Sequence, residues 1–225
     1  MNTTVQATGM TVTAQSNNVF LQIENSAGAS VNGAKTEASA VSSSAQLFPV
    51  AIKSVTGSGA VTWGSTTSND PTSVNYTDPA SLTDVPVGNV GEFVWSDTFK
   101  VFVADNPGNV EGHNLVLSSV TATIPSGTND MEESLRILIV GPNGAILWAN
   151  DGASENSSAV ASSSGIESYN TGNTILATTV PQSNSGTEYV ELTVYIFFCG
   201  NDDTVKTSTV VNLANINVSL VFDVD

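Results

Sequence analysis

Two stretches near the end of the chain alternate apolar and polar residues, and no other feature constrains the fold as strongly. One side of the segment 189–199 carries Val190, Leu192, Val194, Ile196 and Phe198. One side of the last ten residues carries Ile216, Val218, Leu220, Phe222 and Val224. A repeat of two residues is the period of a β-strand, and this alternation is typical of a sheet that packs against the core on one face. The segment from 187 to 225 therefore predicts two strands joined by an acidic loop.

Strand signals recur along the rest of the chain. Further strands are predicted at 2–14, 19–23, 47–55, 60–63, 93–103, 115–124, 134–140, 145–149 and 173–179. The sequence Gly141-Pro142-Asn143-Gly144 predicts a hairpin turn. The only helical signal is short, at 129–135, where a capping residue precedes two acids. Roughly nine to eleven short strands without a long helix predict an all-β, antiparallel β-sandwich with at most one or two short helices. We expect a single domain over residues 1–225.

Three tracts rich in serine, asparagine and glycine interrupt the strand signals, at 25–46, 64–91 and 150–173. They contain few large apolar side chains that could be buried, so we predict long surface loops.

The charge balance excludes several classes of partner. The chain has 21 acidic and 5 basic residues, for a net charge of −16, and Arg136 is its only arginine. Nucleic acid and anionic lipid are both bound by clustered Lys and Arg, so neither is an expected partner. No apolar run reaches the roughly 18 residues of a membrane helix, so no membrane insertion is expected.

The cysteine content and the polar composition favour export. Cys199 is the only cysteine, which rules out an intramolecular disulfide, and its apolar strand predicts an inert buried thiol. Scarce lysine and abundant Ser, Thr and Asn are typical of secreted and surface proteins. The sequence shows no leader, so we interpret it as a mature form that is secreted or held at the cell surface.

The chain contains few residues suited to catalysis. His113 is the only histidine, and it follows a run of loop residues without a second ligand at helical spacing. The zinc-protease motif, the nucleophile elbow and the phosphate loop do not occur. We therefore predict no enzyme activity, no catalytic residue and no required cofactor.

The residues suited to two kinds of binding site also have ordinary structural roles. Calcium prefers oxygen ligands, which cluster at 201–203 and at Asn150, Asp151 and Glu155, but turn chemistry explains these residues better. The side chains of Trp63, Trp95 and Trp148 would suit a sugar-stacking platform, although packing in the core is favoured.

The N-terminal segment is the candidate functional element. Residues 2–14 alternate around Gly9, which predicts one strand with a glycine bulge. The segment lacks proline and charge, and its apolar residues are Val5, Ala7, Met10 and Val12. An uncharged strand can complete the sheet of another molecule without burying an ion. The alternative, equally weighted, is that residues 1–14 pair within their own molecule.

Four segments resemble the TasA/camelysin family of signal-peptidase-dependent secreted proteins of Gram-positive bacteria. They are 1–10, 93–104, 135–139, and 194–203 followed by 216–222. The resemblance implies a jelly-roll sandwich whose N-terminal strand inserts into a neighbouring subunit to build matrix fibres. Camelysin itself has been called a metalloprotease, but one histidine and no zinc motif do not support that activity here.

The expected function is that of a secreted structural protein, a subunit of a cell-surface fibre or biofilm matrix. Its partners would be further copies of itself or other matrix proteins. The alternative is a surface adhesin or a glycan-binding module that uses the long loops and aromatic residues.

Overall fold

The structure is a computed structural model of the 225-residue chain. It describes residues 3–6, 11–14, 21–27, 37–39, 44–56, 60–65, 82–105, 110–123, 131–150, 168–169, 174–183, 187–200 and 217–224.

The described residues form short strands with two stretches of 3₁₀ helix. The first strands are β1 (Thr3–Gln6), β2 (Thr11–Ala14), β3 (Leu21–Asn25), β4 (Glu37–Ser39), β5 (Ser44–Leu47), β6 (Ala51–Val55), β7 (Val61–Ser65) and β8 (Thr83–Asp84). The middle strands are β9 (Val94–Ala104), β10 (Gly112–Thr123), β11 (Leu135–Val140), β12 (Ala145–Ala149) and β13 (Ser168–Tyr169). The last are β14 (Ala177–Val180), β15 (Gln182–Ser183), β16 (Val190–Phe198) and β17 (Asn217–Asp223). The 3₁₀ helices cover Val87–Glu92 and Met131–Ser134.

The described strands assemble into a large sheet, a small sheet, an outer layer and a two-stranded sheet of β1 and β5. The large sheet has seven strands and runs β13, β12, β11, β16 and β9, with β15 and β3 both paired to β9. The small sheet has five strands in the order β14, β10, β17, β2 and β4, and the outer layer consists of β6, β7 and β8. Most pairs are antiparallel, so the all-β sandwich is confirmed, while the jelly-roll connectivity and the single domain stay predictions.

The main core lies between the large and the small sheet. The alternating residues of β16 that were predicted to be apolar and buried are all buried, as are Val218, Leu220, Phe222 and Val224 of the final segment. They meet buried residues of β9, β11 and β10, among them Phe99, Ile137 and Leu115. Burial on one face of β16 and β17 thus explains the period of two.

A second core lies on the other face of the large sheet, beneath the outer layer. Ile52 and Trp63 of that layer pack with Leu138, Leu147 and Phe197 of the large sheet. Because β11 is covered on both faces, all six of its residues are buried, and its sequence is almost continuously apolar. Arg136 is the exception, and its guanidinium donates to the backbone carbonyls of Glu133 and Leu135.

Several elements predicted from the sequence agree with the structure, and others do not. The hairpin between β11 and β12 is confirmed, and so is a short helical turn before β11. The region 25–46 is not simply a loop, because it contains β4 and β5. The region 64–91 contains β8 and most of a 3₁₀ helix, and 150–173 contains β13, while the remainder of that last tract after residue 150 lies outside the described residues.

The prediction of one bulged strand over residues 2–14 is wrong. Two strands form, and they join different sheets: among the described residues β1 pairs with β5, whereas β2 lies in the small sheet. Gly9 itself lies outside the described residues.

Candidate functional site

The N-terminal strand β2 occupies a slot inside the small sheet. On one side it runs parallel to β17, with Thr11 beside Ser219 and Val12 beside Leu220. On the other side it runs antiparallel to β4, with Val12 beside Ala38. β2 is therefore an interior strand, hydrogen-bonded along both edges.

The β17 side of the slot is fixed independently of β2 by the rest of the small sheet. β17 is fixed on its far side by β10, from Val116 beside Asp223 to Thr123 beside Asn217. β4 has β2 as its partner in the described sheet. Without β2, the edge of β17 would be open and β4 would lose its described strand partner, so this segment completes the small sheet.

The four predicted assembly residues fall in three places. Val5 lies in β1 and pairs with Ala45 of β5. Val12 lies in β2, in the slot. Ala7 and Met10 lie outside the described residues. Residues 3–6 and 11–14 thus pair within their own molecule, as one of the two sequence alternatives proposed, and pairing between molecules stays a prediction.

The opposite edge of the small sheet is held by the turn of the β11–β12 hairpin, residues 141–144. The backbone N–H of Asn143 donates to the carbonyl of Leu176 at 3.0 Å. Its side-chain Oδ1 accepts from the N–H of Thr178 at 3.0 Å and lies 3.4 Å from the Thr178 hydroxyl. Asn143 thereby bonds two backbone groups at the edge of β14, as a neighbouring strand would.

The glycines of the 141–144 turn permit this close approach. A Cβ at position 144 would lie 2.7 Å from the carbonyl oxygen of Ile175, and one at position 141 would collide with that of Leu176. Sequence reasoning recognised the turn but not its contact with β14. The available signal was the presence of glycine at both ends of the turn. A residue without a Cβ permits another backbone to approach closely, and the turn itself does not require glycine at both positions.

The residues with catalytic potential are not brought together. His113 lies at the start of β10 rather than in a loop, is exposed, and has its Nε2 3.7 Å from a carboxylate oxygen of Glu111. Among the described residues, no group of three or more His, Cys, Asp or Glu side chains is placed to hold a metal ion. The calcium candidates 201–203, Asp151 and Glu155 lie outside the described residues.

The tryptophans lie in the two cores. Trp63, Trp95 and Trp148 are 2%, 4% and 8% exposed, so the preferred prediction of core packing is confirmed. A sugar-stacking platform made of these three rings is therefore wrong, while the adhesin alternative itself stays a prediction. Cys199 is buried, as predicted.

The cations of the described residues are engaged within the molecule. Lys53 forms an ion pair with Asp84, and Arg136 is fully buried. The ammonium of Lys100 lies 4.6 Å from the centre of the Tyr189 ring. Glu24 and Glu191 flank Lys100 on the neighbouring strands. Carboxylates therefore outnumber the single ammonium at this place on the sheet.

No helix in the described part of the chain is both long and apolar enough to cross a membrane. Comparison with known proteins finds no matching family model, no matching curated protein and no matching solved structure.

Proposed function

We propose that this protein is a secreted structural protein that assembles into a cell-surface fibre or matrix by exchanging its N-terminal strand. The observation that supports this proposal is the slot between β17 and β4, which residues 11–14 of the same chain fill. A second copy carries the same segment, so an exchanged strand would form the same contacts in trans.

Exchange between identical molecules changes few contacts, so the balance depends on entropy and on charge. The ladder bonds and the pairing of Val12 with Leu220 are the same in the closed monomer and the assembly. Each copy carries a net charge of −16, which opposes association. Salt reduces this repulsion, because the screening length is about 10 Å at 0.1 M. We therefore expect assembly to be favoured by salt or divalent cations.

The geometry of the small sheet favours exchange at this end. Its β14 edge is occupied by the 141–144 turn, whereas the slot is occupied by a segment of only four described residues, which β1 alone precedes in the described part of the chain. The jelly-roll connectivity and the export of the chain belong to this same proposal, which rests for them on the sequence resemblance and the composition.

The direct experiment compares the full chain with a variant that lacks residues 1–14, by electron microscopy across salt and calcium concentrations. Fibres of the full chain that the truncated chain does not form would support the proposal. Monomers of the full chain under every condition would reject it.

A cross-linking experiment distinguishes pairing within a molecule from pairing between molecules. Thr11 and Ser219 are register partners, close enough for an engineered disulfide, and the native Cys199 is buried. One sample would carry Thr11→Cys and another Ser219→Cys. After mixing under assembly conditions, disulfide-linked pairs of the two variants are expected if strands exchange. The chain with both substitutions is the control, because closed monomers give only an internal cross-link.

A further inference from the structure

The edge of β14 has the composition of a strand that pairs readily with other strands. The seven residues Thr174 to Val180 read Thr-Ile-Leu-Ala-Thr-Thr-Val, without charge, proline or glycine. Short uncharged segments of high β-propensity are the typical sites of strand-to-strand association. β14 is also the terminal strand of the small sheet.

The 141–144 turn covers this edge in the monomer. Asn143 bonds the carbonyl of Leu176 and the N–H of Thr178, which are groups that an added strand would use. The hydrogen bonds to this edge involve one residue of the turn, Asn143, whereas an added strand would pair along the whole segment. Ile175, beside the contact, remains 37% exposed.

We propose that the β14 edge is a latent interface for a second copy of this chain, and that the 141–144 turn keeps it closed. The partner is a second copy because two identical uncharged edges can pair antiparallel about a twofold axis with no like charges opposed. The chain carries a net charge of −16, so two copies approach with least repulsion where neither edge is charged. This interface is separate from the slot of β2 and does not depend on N-terminal exchange.

The test removes the side-chain acceptor with Asn143→Ala and measures self-association by sedimentation equilibrium. The association constant should rise roughly 10-fold or more. Each of the two paired edges loses one competing hydrogen bond, and the loss of one such bond changes an equilibrium constant severalfold. Asn143→Asp is the matched control, because its carboxylate still accepts from Thr178, and it should remain as monomeric as the parent chain.

Three further variants locate the interface. Gly144→Ala should also promote association, because its Cβ would push the turn away from Ile175. Adding Thr179→Lys to Asn143→Ala should restore the monomer by placing a charge on the strand. Asn143→Ala should still associate when Thr11→Cys and Ser219→Cys lock β2 onto β17 within the same molecule, which separates this interface from strand exchange.

Hydrogen exchange provides a measurement that does not require association. The Thr178 amide should exchange severalfold faster in Asn143→Ala than in Asn143→Asp. The proposal is overturned if Asn143→Ala and Gly144→Ala are folded and as monomeric as the parent, or if their association persists after Thr179→Lys.

Discussion

The two apolar cores on either face of the large sheet are assembled in different ways. The main core draws its residues from strands spread along the chain, from Leu21 in β3 to Phe222 in β17. The outer core covers the same sheet with described residues from one local stretch, between Val50 and Phe93. The difference indicates that the main core holds the whole fold together, whereas the outer layer is a unit that can open without unfolding the sandwich.

The largest effect is expected in the main core. Phe99→Ala removes a ring that is 0% exposed between the two sheets, and should lower the free energy of unfolding by about 3–5 kcal/mol. Denaturant unfolding followed by circular dichroism measures this change. The adjacent Thr98→Ala is the matched control on the other face of the strand, and should cost less than about 1 kcal/mol. Equal losses for the two variants would contradict the assignment of faces in β9.

The next largest effect is expected in the outer core. The ring of Trp63 lies 5.0 Å from that of Phe197 and 5.6 Å from that of Tyr195, both nearly edge-on. Trp63→Ala should destabilise the outer layer by about 2–4 kcal/mol, somewhat below the usual core value because a peripheral layer can relax. Hydrogen exchange should accelerate in β6 and β7 while β16 and β17 keep their protection. Equal acceleration in all four strands would mean that the two cores unfold together.

A smaller, pH-dependent effect is expected at Tyr195. Its burial under the outer layer raises the pKa of the phenol above the ordinary value of 10.0. The neutral phenol is therefore favoured in the folded state, and this stabilisation is complete below the unfolded pKa and is lost as the pH rises through the folded pKa. Stability should fall above about pH 10, and less so in Tyr195→Phe. Thermal unfolding between pH 9 and 11 measures the difference, and identical curves would exclude the effect.

The smallest effect is expected at Lys53. Its ammonium bonds the carbonyl of Leu82 at 2.7 Å and forms the ion pair with Asp84. Because the carboxylate partner is largely exposed, Lys53→Ala should cost at most about 1 kcal/mol, and added salt should reduce that cost. A loss of several kcal/mol, unaffected by salt, would show that the outer layer depends on this pair rather than on Trp63.

The comparison of the two cores also explains which elements the sequence revealed. β16 and β17 were recognised because burial on one face produces strict alternation, and β11 because burial on both faces produces a continuous apolar run. The signal for the outer layer was present in β16 as well, where Tyr195 and Phe197 make the second face apolar. A large aromatic residue on the supposedly wet face of a strand indicates another layer.

Other elements had no such signal. β4 and β5 have few large apolar residues, so their tract resembles a loop, and the pairing of β4 with β2 depends on tertiary contacts rather than on local propensity. The slot of β2 could not be predicted because alternation indicates a strand but does not specify its neighbours. The hydrogen bond between Thr178 and Asn143 joins residues 35 positions apart in the sequence, and the rules that predict turns concern only neighbouring residues.

The parallel pairing of β2 with β17 also determines how the protein would bear tension. Force applied through the chain before Thr11 and after Asp223 would pull the two strands lengthwise in opposite directions. The hydrogen bonds between them would then share the load and have to break together rather than one after another. A sheet loaded in this way resists stretching far better than one that is peeled apart, so the two ends of this chain lie where the small sheet is mechanically strongest.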